Sequence, residues 1–142
     1  MIVLDAYALV AFLADEPARD EVEALLRDAC VVTTVNLSES LDVVGRVYGI
    51  GEEELQRLVD PLLDAALSVE LPPLEDAWAA ASFRRRYYDR STCELSLADC
   101  FLLAAASRLG ASVATTDPAV ASAAREESLA LIALPETSGR RP

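Results

Sequence analysis

Short runs of β-branched and aliphatic residues alternate along this chain with stretches of helical periodicity, and that alternation narrows the fold more than any other feature. Ile2-Val3-Leu4 is the first such run, and Ala6 to Asp15 then reads as a helix. Pro17 suits the first turn of a second helix, where Val22, Leu25, Leu26 and Ala29 recur at i, i+3, i+4 and i+7. Val31 to Val35 is the expected second strand. A third helix follows, with Leu37, Leu41, Val44 and Tyr48 on one side and Gly49 and Gly51 at its close. Leu55, Leu58, Val59 and Leu62 mark a fourth, which Pro61 should kink or split. Ser68 to Leu71 predicts a short strand, and Leu74 to about Tyr88 a long helix carrying Leu74, Ala77, Trp78 and Ala81 on one face. Leu97 to Leu109, ended by Gly110, is another helix. Ser112 to Thr115 is a strand, Pro118 to Glu126 a helix and Leu129 to Leu134 the last strand. Strands separated by helices need crossover connections, so the expected class is α/β with a mainly parallel sheet covered on both faces. The 142 residues amount to one domain, expected over 1–135, with 136–142 as a loose polar tail.

Composition decides which chemistries are open. Histidine is absent, and all 12 basic residues are arginine. Without His there is no Ser-His-Asp or Cys-His relay and no His-ligated zinc. Without Lys there is no Walker-type phosphate lysine and no Schiff base. Cys30, Cys93 and Cys100 lack CxxC spacing and read as buried thiols in a reducing compartment. Met1 leads directly into Ile2-Val3-Leu4 and Asp5, without the basic end and apolar stretch of about 7–15 residues of a signal peptide. No apolar stretch approaches the ~20 residues that cross a bilayer, so a cytoplasmic chain without a membrane partner is expected. What remains for chemistry is carboxylates, hydroxyls and arginine. The net charge of −12 repels bare polyanions unless cations or a basic partner change the local field.

Four carboxylates fall at strand-to-helix switches. Asp5 follows the first strand, Glu39 lies in the first turn of the helix after the second, Asp117 follows the Ser112 strand, and Asp99 lies near the start of the Leu97 helix. The carboxyl ends of parallel strands are where open sheets bind ligands. Local capping accounts for each acid singly: Asn36-x-x-Glu39 and Ser96-x-x-Asp99 fit capping boxes, and Asp5 and Asp117 fit N-caps. Capping does not account for all four together. The helix that carries Asp99 is apolar almost all round and therefore buried, and a buried carboxylate costs several kcal/mol unless paired or bound to metal. Hard divalent cations with oxygen ligands, Mg²⁺ or Mn²⁺, answer both that cost and the mutual repulsion.

Val3-Leu4-Asp5-Ala6, Asn36-Leu37-Ser38-Glu39, Leu95-Ser96-Leu97-Ala98-Asp99 and Thr115-Thr116-Asp117 together resemble the four motifs of a PIN domain, more narrowly of the VapC-type toxin ribonucleases. The resemblance runs from the first strand to the last. It implies a three-layer sandwich with a parallel sheet of four or five strands, and Mg²⁺- or Mn²⁺-dependent cleavage of an RNA substrate. Homodimerisation and a cognate antitoxin protein are implied with it. Asp5, Glu39, Asp99 and Asp117 would be the catalytic, metal-holding acids, with Thr115 a supporting or substrate-side hydroxyl. One departure stands out: Tyr7 replaces the small Ser or Thr that the family often has two residues after the first Asp. A non-catalytic PIN-like interaction module is the alternative expectation. A haloacid-dehalogenase-like phosphatase is disfavoured, because Asp5-Ala6-Tyr7 lacks a second Asp and the chain lacks Lys.

Arg84-Arg85-Arg86 with Arg90 is the one concentrated basic region, and Arg86 and Arg90, at i and i+4, can share a helix face. They are the candidate RNA-backbone contacts, set against a plain solvated helix end. The Leu9, Phe12, Leu13 stripe and the Leu55 to Leu63 segment read as core first; the resemblance implies that such helices form a groove for the antitoxin. Glu52-Glu53-Glu54 reads as an acidic first turn and Asp42 as an exposed helix residue.

Overall fold

A computed structural model describes residues 1–89 and 95–142. Five strands, β1 (Ile2–Leu4), β2 (Cys30–Thr33), β3 (Leu67–Glu70), β4 (Ser112–Thr115) and β5 (Leu131–Ala133), form one sheet in the order β3-β2-β1-β4-β5. Every neighbouring pair is parallel. The helices are α1 (Ala6–Leu13), α2 (Arg19–Leu25), α3 (Thr34–Tyr48), α4 (Glu52–Ala65), α5 (Leu74–Tyr87), α6 (Leu97–Leu109) and α7 (Pro118–Glu126). The three-layer α/β architecture is as expected.

Period-two alternation distributes each strand between two cores. Val3, Val31 and Val113 point to one face, where they meet Phe83 of α5, Leu102 and Leu103 of α6 and Val120 of α7. Ile2, Leu4, Cys30, Val32 and Ala114 point to the other, against Leu9 of α1 and Val22 of α2. A third, smaller cluster joins Val10, Val43, Val44 and Leu55.

Several local expectations are corrected. β2 stops at Thr33 rather than Val35, because the Thr33 side chain accepts from the Asn36 N–H and caps α3. Asn36 is therefore inside the helix, Asn36 and Glu39 do not form a capping box, and Glu39 lies in the second turn. The buried side of α3 is Asn36, Ser40, Val43 and Val44, while Tyr48 is exposed. Pro61 does not split α4; it sits on the exposed side of the helix, although proline leaves one carbonyl of the preceding turn without its helical bond. The face expected for α5 is reversed: Leu74 and Trp78 are exposed, and Asp76, Ala80 and Phe83 are buried. The reason is Arg108 at the end of α6, which bonds both oxygens of Asp76 at 2.9 and 3.0 Å and also Glu70. Paired in this way, a carboxylate can lie at the α5–α6 contact.

Residues 136–142 carry no helix or strand, but the Glu136 N–H donates to the Arg140 carbonyl and Arg141 reaches Glu21 and the Ala133 carbonyl. Among the described residues no helix is long and apolar enough to cross a membrane.

Candidate active site

β1 and β4 lie side by side, and the sheet continues from them in opposite directions. The crevice beyond their carboxyl ends is the topological switch point of an open α/β sheet. Asp5, the first residue after β1, holds the N-cap position of α1, yet its side chain makes no capping bond. Its Oδ2 instead accepts from the Thr115 hydroxyl at 2.6 Å, and the same hydroxyl accepts from the Asp117 N–H at 2.9 Å. Asp5 Oδ1 is fully buried and has no hydrogen-bond partner among the described residues. Local capping therefore does not explain this carboxylate.

The other three acids come to the same place. Asp99 is buried at the start of α6 in the expected capping box, its side chain accepting from the Ser96 N–H. Asp117 caps α7, accepting from the Ala119 and Val120 N–H groups at 2.6 and 3.3 Å. Glu39 reaches in from α3, which is tied to α1 by the Ser40 hydroxyl on the Ala6 carbonyl at 3.1 Å. Glu39 Oε2 is a second buried oxygen without a hydrogen-bond partner among the described residues.

Convergence is visible in the electrostatics. Burial, then the charge of Asp99, raise Asp5 well above the ordinary carboxylate range; the Thr115 bond opposes this, and Asp117 and Glu39 add to it. Burial, with Asp99, Asp117 and Asp42, pushes Glu39 up to about 7. Asp99 is raised by burial, against the lowering effect of its Ser96 bonds, with Asp117 raising it further. Tyr7 feels the same cluster: burial and then Glu39, Asp5, Asp117 and Asp99 all raise its phenol.

In donor type the site fits a hard divalent cation: four carboxylates converge, and two present buried oxygens with no donor among the described residues. As placed, no three acidic or thiol side chains among the described residues form a ready-made ligand set. The fit is one of chemistry and position.

Arg86 pairs with Glu127 at 2.6 Å and lies over the Phe83 and Tyr87 rings, while Arg90 lies outside the described residues, as does Cys93. Among the described residues, Arg84 is the arginine that acts on the acids: its charge lowers Asp99, and its guanidinium donates to the Leu95 carbonyl next to Ser96. Arg84 belongs to the basic region expected near the crevice, although Arg86 and Arg90 are the contacts expected from it, and Asn36 is expected as a cap; Ser40 is not marked by any motif, and the i, i+4, i+7, i+8 spacing of 36, 40, 43 and 44 is the signal for its burial. Asp42 is exposed and paired with Arg46 at 3.0 Å, and Glu52, Glu53 and Glu54 fill the first turn of α4, both as expected.

A PIN-domain family model matches residues 2–126. The chain belongs to the PIN-domain family. No match was found among curated protein sequences. Solved structures agree on the fold. A toxin–antitoxin complex from Klebsiella pneumoniae is 15% identical, with 82% of this chain and 87% of that one covered and a TM-score of 0.63. FitAcB from Neisseria gonorrhoeae is 22% identical over 93% and 96% of the two chains, with a TM-score of 0.63. VapBC2 from Rickettsia felis, bound to a DNA fragment from their promoter, is 16% identical over 93% and 98%, also at 0.63.

Proposed function

We propose that this PIN domain is a metal-dependent endoribonuclease, the toxin of a toxin–antitoxin pair acting in the cytoplasm. The observation that carries the reading is Asp5, a fully buried carboxylate with one oxygen unpartnered and three further acids acting on it. Mg²⁺ or Mn²⁺ held by Asp5, Asp99, Asp117 and Glu39 would supply positive charge at the scissile phosphate and a water of lowered pKa. Thr115 orients Asp5 through its hydroxyl. Glu39, raised to about 7 in the metal-free cluster by burial and its acidic neighbours, would serve as a ligand to the cation or as the base that orients the attacking water. Arg86 and Arg90 are the proposed contacts to the RNA backbone. The purified chain should cleave RNA with Mn²⁺, stop with EDTA and lose activity in Asp5→Asn. Equal cleavage by the wild type and a variant lacking all four acids would overturn the proposal.

The antitoxin is proposed to dock between α3 and α4, where Leu37, Leu41, Leu55, Val59 and Leu63 line an apolar groove of about 600 Å³. This supports an amphipathic helix as the docking element. The Leu9, Phe12, Leu13 stripe supports it less: Leu9 is fully buried, and Phe12 and Leu13 pack on the core. A homodimer is proposed through Leu71, Leu74 and Trp78, which are 72%, 71% and 73% exposed. Trp78→Glu should then give monomers in sedimentation.

The capping bonds of Asp99 and Asp117 favour a second reading, a non-catalytic PIN-like interaction module. Millimolar Mn²⁺ separates the two. A rise in Tm supports the nuclease, and no shift supports the module.

A further inference from the structure

Three of the four acids at the crevice are each held by a donor of their own. The Thr115 hydroxyl holds Asp5, the Ser96 N–H holds Asp99, and the Ala119 and Val120 N–H groups hold Asp117. Glu39 differs: its Oε2 is buried, and among the described residues nothing donates to it. It is also the longest of the four side chains, with the most torsional freedom to lose when it is fixed.

One turn earlier on α3 the opposite lack occurs. Asn36 is fully buried, and its side-chain Nδ2 has no acceptor among the described residues. A buried amide donor left unpaired costs free energy. The other end of that amide is fixed, because the Thr33 hydroxyl donates to Asn36 Oδ1 and accepts from the Asn36 N–H at 3.1 Å. Its place is fixed too. β1 and β2 run in register, Ile2 beside Cys30 and Val3 beside Val31, so the chain leaves the sheet at Asp5 and at Thr33 side by side. The Ser40 hydroxyl, one turn beyond Asn36, bonds the Asn36 carbonyl at 2.7 Å and the Ala6 carbonyl at 3.1 Å. Residues 36 and 39, at i and i+3, are neighbours on one helix face. Among the described residues, the buried side-chain atoms without a partner are Asp5 Oδ1, Glu39 Oε2 and Asn36 Nδ2, two acceptors and one donor. Asp5 is already held through Oδ2. Glu39 is the acid that lacks a holder.

We infer that Asn36 is a positioning residue of the acidic site: its side-chain amide, oriented by Thr33, is the donor that fixes the Glu39 carboxylate for a divalent cation. The two groups are unbonded as placed, and Glu39 is only half-buried, so its side chain can turn to the amide. One carboxylate oxygen then meets the amide and the other stays free for the cation. Donors that orient a ligand in this way raise metal affinity. The inference rests on the metal-site reading and adds to it a residue out of reach of substrate.

The test is Mn²⁺ binding by the metal-free protein, followed through the electron paramagnetic resonance signal of the free ion. Loss of a group that orients a metal ligand weakens metal binding by about 10- to 100-fold, and Asn36→Leu should fall in that range. In a Glu39→Ala background the same substitution should cause no further loss, because the amide then has nothing to hold. A general loosening of α3 would instead weaken binding by the same factor in both backgrounds, and that result overturns the inference. Asn36→Ala removes the donor with a smaller side chain and is read in the same way where the leucine variant does not fold. Raising Mn²⁺ should restore RNA cleavage by Asn36→Leu, since a fully buried amide makes no contact with RNA. Wild-type Mn²⁺ affinity in both Asn36 variants overturns the inference and leaves the nuclease reading standing. If the wild type itself binds no Mn²⁺ at millimolar concentration, the metal-site reading falls and the inference falls with it.

Discussion

The Thr115 hydroxyl donates to the Asp5 carboxylate at 2.6 Å across 110 positions of sequence, joining the end of β4 to the end of β1. Because the same oxygen accepts from the Asp117 N–H, one hydroxyl orients two of the four acids. Thr115→Val keeps the shape and removes both bonds. It should cost about 1–3 kcal/mol in denaturant unfolding, since a buried carboxylate loses its one partner. Mn²⁺ affinity and cleavage should fall together, and Thr115→Ser should recover most of both.

Removing an acid should stabilise the metal-free fold while it abolishes activity. Asp5 is held buried against the charges of Asp99, Asp117 and Glu39. Asp5→Asn relieves that repulsion, so its unfolding free energy should rise by on the order of 1 kcal/mol, the usual trade of stability against a strained site. Its cleavage rate should drop by about 100-fold or more. Paired urea melts and cleavage assays check both signs.

Metal-free stability should decline as pH rises from about 4.5 to about 7. Glu39 is pushed up from its ordinary 4.5 to about 7, so within that window the folded chain keeps a proton that the unfolded chain has released. Stability is then greatest below the unfolded value and is lost as pH climbs through the folded one. Asp5 and Asp99, also raised, act in the same direction. Thermal melts in EDTA across this range should show the decline, and Glu39→Gln should flatten it.

Arg108 is expected to matter for folding and not for catalysis. It holds Asp76, nearly fully buried, at 2.9 Å. Arg108→Ala would strand that charge and cost about 3–5 kcal/mol. Replacing both partners, as Arg108→Met with Asp76→Leu, should recover most of the loss in chemical denaturation.

The groove between α3 and α4 offers a test of the antitoxin site that leaves the acids untouched. A Cβ at Gly45 would meet Leu55 and the Ile50 carbonyl oxygen at ordinary contact, 3.6 Å each. Gly45→Ala should therefore be tolerated and gain roughly 0.5–1 kcal/mol from helix propensity. Gly45→Phe should fill the groove and prevent antitoxin binding while RNA cleavage continues, as measured by co-purification and a cleavage assay.

Much of this molecule is settled by residues close together in sequence. The short, continuously apolar or small-residue runs Ile2-Val3-Leu4 and Ser112 to Thr115 dictate buried parallel strands, and Ser96-x-x-Asp99 dictates the start of α6. The placement of Asp5, Asp99 and Asp117 at strand ends or helix starts follows from the same local rules, which is why the candidate site was legible before the fold. Tertiary structure decided what depends on partners far along the chain. Asp76 turns inward and Trp78 outward because Arg108, 32 residues away, pairs the carboxylate. Thr33 displaces Asn36 as the cap of α3, and the Ser40 bond to the Ala6 carbonyl ties the helix that carries Glu39 to the helix that follows Asp5. Asp5 sits at a cap position but forgoes the cap, because Thr115 offers its hydroxyl from the neighbouring strand. Periodicity and capping act over one or two helical turns, whereas a buried charge answers to whichever group the fold brings within hydrogen-bonding reach.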